Sequence, residues 1–297
     1  MKKIFLAAAL IAALLLLFSG CAAGEPETSP LPEDEDTTPL PEDIEETLVT
    51  VNVEGSDYVA KLVDGLAQTY MQANEGVSIE VLDTSSNFGI AALAKDEADI
   101  ALSSRTLKES EKTVFPGMKE TVLCMDGIAV IVNAGSPVGS LTPEQVKDIF
   151  TGKIKDWNEV GGAAGEITVY TMSSDTEVRK IFNSLFLGAD EQGNQIDTDD
   201  YENFAVESGE EMIAALLEDG TAIGYVPLSE IAGNTVKTVS IDGVAASADN
   251  IKSGSYPYVL DHILMTTDPS DEAKAFLDYI KGAEAKAYII TQRLIVQ

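Results

Sequence analysis

The sequence predicts an α/β protein of two lobes, with mostly parallel sheets flanked by helices and a hinge that the chain crosses twice. From Leu48 onward, short apolar segments of strand-forming residues alternate with segments of helical spacing, the pattern of sheets covered by helices. Residues 121–133 form an almost continuous apolar run, interrupted by Asp126-Gly127, and read as a strand buried on both faces. Directly after it, residues 136–144 change to a polar loop and a helix start, so this strand is where the chain leaves one lobe for the other. A carboxylate in such a strand is costly to bury alone, which places Asp126 near the cleft between the lobes.

The whole chain narrows the function classes. Its 297 residues allow one large or two modest domains. A formal charge of −31 makes nucleic acid an unlikely partner, because phosphate backbones repel so acidic a surface. Two cysteines cannot build a disulfide framework. One histidine and no CxxC pair argue against a His- or Cys-rich metal site, and no cofactor or metal is expected.

Residues 1–20 read as a secretory leader: Lys2 and Lys3 give the positive start, and residues 5–18 the apolar stretch. That stretch is short for a membrane span. It ends in Phe18-Ser19-Gly20-Cys21, which resembles a bacterial lipoprotein box with Phe where Leu is usual. The resemblance implies that Cys21 is lipidated and becomes the first mature residue. Residues 21–47 follow as an acidic, Pro-rich disordered stalk, with Pro-Leu-Pro-Glu-Asp at residues 30–34 and again at 39–43. Such a segment cannot bury enough apolar surface to fold, and its like charges extend it.

The folded part then reads in order. Residues 48–54 alternate as a strand, Gly55-Ser56-Asp57-Tyr58 turn, and residues 59–72 carry Leu62, Leu66 and Tyr70 at helical spacing. The helix start near Ser56 suits an anion. A second unit repeats this: strand 77–82, polar loop 83–89, helix 90–95. A third strand, 98–102, ends in Ser103-Ser104-Arg105. The order βαβαβ gathers these loops at the strand C-termini, where ligands bind in such sheets. Beyond the organising strand, Thr142-Pro143 is an N-cap followed by Pro at the first helical position. Strand 167–170, polar loop 171–176 and helix 177–187 follow, then a polar segment 192–200 expected to be mobile. Helix 208–218, strands 222–226, 236–241 and 258–266, and helices 271–279 and 283–290 complete the chain. The lobes are expected to comprise residues 48–131 with 242–297, and residues 132–241.

Several of these segments resemble the phosphate-binding proteins of bacterial ABC importers. They are residues 126–133, 141–145, 148–154 with 157–162, 223–226, Ser103-Ser104-Arg105, and the tail from 241–244 through 252–257. The resemblance runs from about residue 48 to the C-terminus. It implies a hinge-closing, two-lobed fold of the type II periplasmic-binding-protein class. It also implies a lipoprotein held on the outer face of a Gram-positive membrane, an ABC permease as partner, and a small anion as cargo, phosphate by family.

Residue by residue, the resemblance implies a ligand-binding set of Ser56, Asp57, Ser86, Ser104, Arg105, Asp126, Thr176 and Arg179. Asp57 stands where Thr is usual. In the fourth loop, Met172 and Asp175-Thr176-Glu177-Val178-Arg179 replace a polar residue and a Gly-Ser-Gly-Thr-Arg run, so Glu177 takes the place of a glycine that lets the anion approach. Asp57, Asp126, Asp175 and Glu177 could then all face the cleft, against Arg105 and Arg179. At an effective dielectric of about 20, like charges a few ångströms apart cost on the order of several kcal/mol. The alternative expectation is a diverged member that binds another polar solute, or a sensory or adhesion lipoprotein with the oxyanion site lost.

Blander roles stand beside these. Ser56, Ser86 and Ser104 could cap helices, Asp126 could make a local Asp-Gly turn, Arg105 could be an interlobe ion pair, and residues 173–175 could belong to an N-cap. His262, Cys124 and Trp157 read as packing. Paired carboxylates from Asp57, Asp126 and Glu177 could suit a glycosidase, but the sequence offers no nucleophile–base pair, so no enzyme activity is expected.

Overall fold

A computed structural model describes residues 48–296, apart from Asn234 and the Asp200 side chain. The leader, Cys21 and the whole of the proposed stalk lie outside the described residues. In chain order the first elements are β1 (Val49–Ser56), α1 (Asp57–Ala73), β2 (Val77–Thr84), α2 (Ser86–Ala94), β3 (Ile100–Ser103), α3 (Glu109–Val114) and β4 (Lys119–Asn133). Then come β5 (Ser140–Leu141), α4 (Pro143–Phe150), β6 (Thr168–Met172), α5 (Glu177–Phe182), β7 (Phe204–Val206), α6 (Gly209–Glu218) and β8 (Ala222–Pro227). The chain ends with β9 (Val236–Thr238), β10 (Ser240–Ile241), α7 (Ala248–Lys252), β11 (Val259–Thr266), α8 (Asp271–Ile280) and α9 (Ala283–Thr291).

The main sheet runs β2-β1-β3-β11-β4-β8-β6-β7, with β9 also paired to β4. β4 changes partners along its length. Residues 119–127 pair with β11 and residues 128–132 with β8, so the change falls at the Asp126-Gly127 pair that interrupts the apolar run. The sheet is mixed where mostly parallel strands were expected. β1–β2, β1–β3, β6–β7 and β6–β8 are parallel, but β11 lies antiparallel between β3 and β4, and β4 antiparallel to β8. The βαβαβ reading fits β1 to β3. It misses β11, a late strand inserted into the early sheet.

Amphipathic helices explain the layers. Val59, Leu62, Val63, Leu66 and Tyr70 of α1 are buried at helical spacing. They share a core with Val51, Val53 and Ile100 and with Phe276, Ile280 and Ile289 of the last two helices. Ile90 and Leu93 of α2 pack with Ala101, Ile263 and Met265 in a separate cluster. The larger core takes Ile128, Val130 and Val132 of β4 with Phe150, Phe182 and Tyr225, the last two stacked at 3.6 Å between ring centroids. Trp157 belongs to this core and donates its indole N–H to the Thr221 carbonyl at 2.8 Å. Val244, Ile251, Tyr256 and Leu260 also join it, and the chain returns to the first core along β11. Thr142 caps α4 as expected, accepting from Gln145 N while Gln145 Oε1 accepts from Thr142 N.

Gly55 sets how closely β1 meets β3, just before Ser56. Its φ is +150°, and a Cβ there would collide with the Leu102 carbonyl. Gly55→Ala is expected to destabilise the fold by about 2–4 kcal/mol, through backbone strain and a backbone clash together. Urea unfolding of the variant beside the parent measures this; a change below about 0.5 kcal/mol, the range of an ordinary surface substitution, would count against it.

Candidate functional site

Parallel strands β2, β1 and β3 lie side by side, and their C-terminal ends deliver three serines to one point. Ser56 ends β1, Ser86 opens α2, and Ser104 follows β3; all are buried. They do not cap their helices. Ser56 makes no capping bond, and α2 is capped by Ser85, whose hydroxyl accepts from Phe88 N. The hydroxyls are therefore free to point elsewhere.

Two of them point at Glu177. This residue opens α5 after β6 and is only 7% exposed. Its Oε1 accepts from Ser86 Oγ at 2.5 Å and from Ser104 Oγ at 3.1 Å. Ser104 Oγ in turn accepts from Ser56 Oγ at 3.3 Å, and Ser86 Oγ accepts from Ser104 N at 3.1 Å. Each hydroxyl has one proton, and this arrangement directs the protons of Ser86 and Ser104 onto one carboxylate oxygen. It forms a donor cage for an anion, built from neutral dipoles. The cation beside it is Lys180, with Nζ 3.9 Å from Glu177 Oε2.

The other expected ligand residues are held elsewhere. Asp57 sits at the first position of α1 and accepts from Tyr58 N at 2.7 Å. Burial pushes its carboxyl up, and the Glu177 charge adds to the shift. Asp126 is fully buried. It accepts from Tyr58 Oη at 2.7 Å, from Gly127 N at 2.7 Å and from Ser229 N at 3.2 and 3.3 Å. It joins β4 to α1 and to the turn after β8, and has no hydrogen bond to the serines. Burial pushes its carboxyl up, against these donors.

Arg105 grips both Glu111 oxygens at 2.8 Å and reaches Asn87 Oδ1 and the Thr106 carbonyl. This ion pair holds the Glu111 carboxyl below its usual range. Thr176 caps α5, accepting from Arg179 N and donating to the Ser173 carbonyl. Arg179 is 1% exposed; its guanidinium pairs with Asp197 and Asp199 and donates to the Met172 carbonyl. The polar segment expected to be mobile thus supplies the counter-charge of a buried arginine, and Thr198 within it is fully buried.

Sequence reading missed Tyr58, Ser229, Glu111, Asp197 and Asp199. The sequence reads Tyr58 as a turn residue, whereas it follows Asp57 in the first turn of α1. The spacing Asp197-x-Asp199 in an otherwise polar segment was the available signal for a buried cation. Cys124 is buried, and burial pushes its thiol up, consistent with packing. Among the described residues no cluster of His, Cys, Asp and Glu is placed to hold a metal ion.

A sequence model described as a PBP superfamily domain, the periplasmic-binding-protein class, matches residues 41–284. The chain belongs to the PBP superfamily. Among individual PBP relatives, the phosphate-binding protein PstS of Bacillus subtilis is 29% identical over 286 residues, covering 96% of this chain and 90% of that protein. A crystal structure of an ABC-type phosphate transport receptor from Vibrio cholerae superposes with a TM-score of 0.77 at 28% identity, covering 84% of this chain and all of that one. A Clostridium perfringens substrate-binding protein of a phosphate ABC transporter, solved with bound phosphate, gives 0.68 at 28% identity, over 84% of this chain and 99% of that one. The resemblance read in the sequence is borne out, as is the type II PBP fold.

Two expectations follow from the buried charges. Arg179→Gln should cost about 2–3 kcal/mol, less than a fully buried broken pair because Asp197 and Asp199 reach water. Urea unfolding would show it, and an unchanged midpoint would contradict it. His262 is buried, its Nδ1 has no partner, and burial lowers its pKa to about 4 from an ordinary 6.5. The neutral ring is favoured in the fold, so this stability is complete above pH 6.5 and lost as pH falls towards 4. Between pH 7 and pH 4 the parent should lose about 3 kcal/mol more than His262→Gln; parallel unfolding curves for the two proteins would overturn this.

Proposed function

We propose that this chain is the solute-binding subunit of an ABC-type importer and that the cage of Ser56, Ser86 and Ser104 takes phosphate. The observation that carries this reading is the cage itself: converging buried hydroxyls already hold one anionic oxygen. Its relatives with this fold are transport receptors, and the Clostridium perfringens protein is solved with phosphate. Neutral donors suit such cargo, because they bind a charge without a permanent counter-charge that would slow release. We further propose that Cys21 carries a lipid anchor on the outer face of the membrane, that residues 21–47 form a stalk, that lobes on either side of β4 and β11 close on the solute, and that the chain hands it to a permease without chemical turnover.

Glu177 favours a second reading, in which the cage is filled for good by the chain's own carboxylate and the protein serves as a sensory or adhesion lipoprotein. Titration calorimetry of the full chain, dialysed free of phosphate, separates the two. Under the first reading phosphate gives saturable heat and sulfate far less. Ser104→Ala then weakens phosphate binding tenfold or more, since a hydrogen bond to a charged group contributes about 1.5–3 kcal/mol. A folded protein that gives no heat with phosphate would sink the transport reading.

A further inference from the structure

We propose that the Glu177 carboxylate is a resident anion of the serine cage, which a solute must displace, and that this makes Glu177 the residue that sets anion selectivity. The proposal rests on the cage being the solute site. Glu177 is contributed by α5, across from the strand ends that carry the serines. Both hydroxyl donors of Ser86 and Ser104 are spent on its Oε1. A free anion can use those donors only after the carboxylate leaves.

The surroundings give both partners somewhere to go. A cavity of about 480 Å³ adjoins the cage and is lined by Ser104 and Glu177 together with Arg105, Lys108, Lys180 and Asp261. Arg105 there is already paired with Glu111, which leaves Lys108 and Lys180 to meet an anion. A second cavity, of about 600 Å³, opens beside α1 and is lined by Asp57, Glu207, Glu210 and Glu230 against Lys61, which disfavours an anion. Lys180 stands 3.9 Å from Glu177 Oε2 and is half exposed. A Glu177 side chain that rotates out of the cage towards the first cavity keeps this partner.

Selectivity follows from tethering. A side chain attached beside its own site competes at an effective concentration on the order of millimolar or more. Weakly bound monoanions, such as formate or chloride, cannot displace it. An anion with more charge and more acceptor oxygens, such as hydrogen phosphate, can also draw in Ser56, whose proton otherwise goes to Ser104. The resident carboxylate thus raises the threshold for entry and also fills the buried donors while no solute is bound, which spares the unpaired-donor cost.

The test compares the full-length parent with Glu177→Gly and Glu177→Gln, the second retaining side-chain volume in case the first folds poorly. Phosphate affinity is read by calorimetry, and formate binding by the shift in unfolding temperature. The expected result is at least tenfold tighter phosphate binding in Glu177→Gly, a smaller gain in Glu177→Gln, and stabilisation by millimolar formate in Glu177→Gly but not in the parent. Equal phosphate affinity in all three proteins would overturn the proposal and leave the transport reading standing. Formate stabilisation of Glu177→Gly with no phosphate binding anywhere would retain the resident anion and remove phosphate as the cargo. A Glu177→Gly protein that responds to neither anion would remove both.

Discussion

A carboxylate buried in the middle of a sheet has to be paired, and that constraint organises this molecule. Asp126 lies where β4 passes from β11 to β8. Its oxygens are satisfied by Tyr58 from α1 and by the backbone of Gly127 and Ser229. Leaving such a group unpaired would cost several kcal/mol. The pairing therefore holds the start of α1 and the turn after β8 against the same strand. α1 begins one residue after Ser56, so the node that satisfies Asp126 also fixes one edge of the serine cage. His262 leans on Tyr58 with ring centroids 5.1 Å apart, which extends the node into β11.

Much of this was legible in the sequence. The apolar run broken by Asp126-Gly127 marked the strand that serves both half-sheets, because a run that apolar has to be buried on both faces. Strand, small polar loop and helix, repeated, marked the loops that deliver Ser56, Ser86 and Ser104. Periodicity did not reveal β11 between β3 and β4, since insertion of a late strand is a non-local event. Short elements such as β7, α3 and α7 were missed for a related reason: their few residues carry too little pattern to stand apart from loops.

The roles of charged residues were less legible than their positions. Arg105 sits in the expected loop and Arg179 in the first turn of α5, yet each is engaged by carboxylates from elsewhere in the sequence, Glu111 for one and Asp197 with Asp199 for the other. Sequence shows a charge but not which opposite charge the fold will bring to it. Glu177 shows the reverse case. Its departure from the family's glycine was visible and read as repulsion against an anion. The structure shows it hydrogen-bonded inside the donor cage, so the same negative charge acts as an occupant.

That outcome also bears on how a chain with a formal charge of −31 can present a site for an anion. Charges on the surface are screened over about 8 Å at physiological salt, so a bound anion responds chiefly to its immediate neighbours. Those neighbours are the hydroxyls of Ser86 and Ser104, with Lys180 beside them. The acids that line the cavity beside α1 lie in a different setting, and burial pushes the Glu230 carboxyl there up. Under the proposed reading, local donors and not net charge decide what the cage accepts. With the donors already aligned on one oxygen, the discriminating quantity is how much better a solute satisfies them than the tethered carboxylate does.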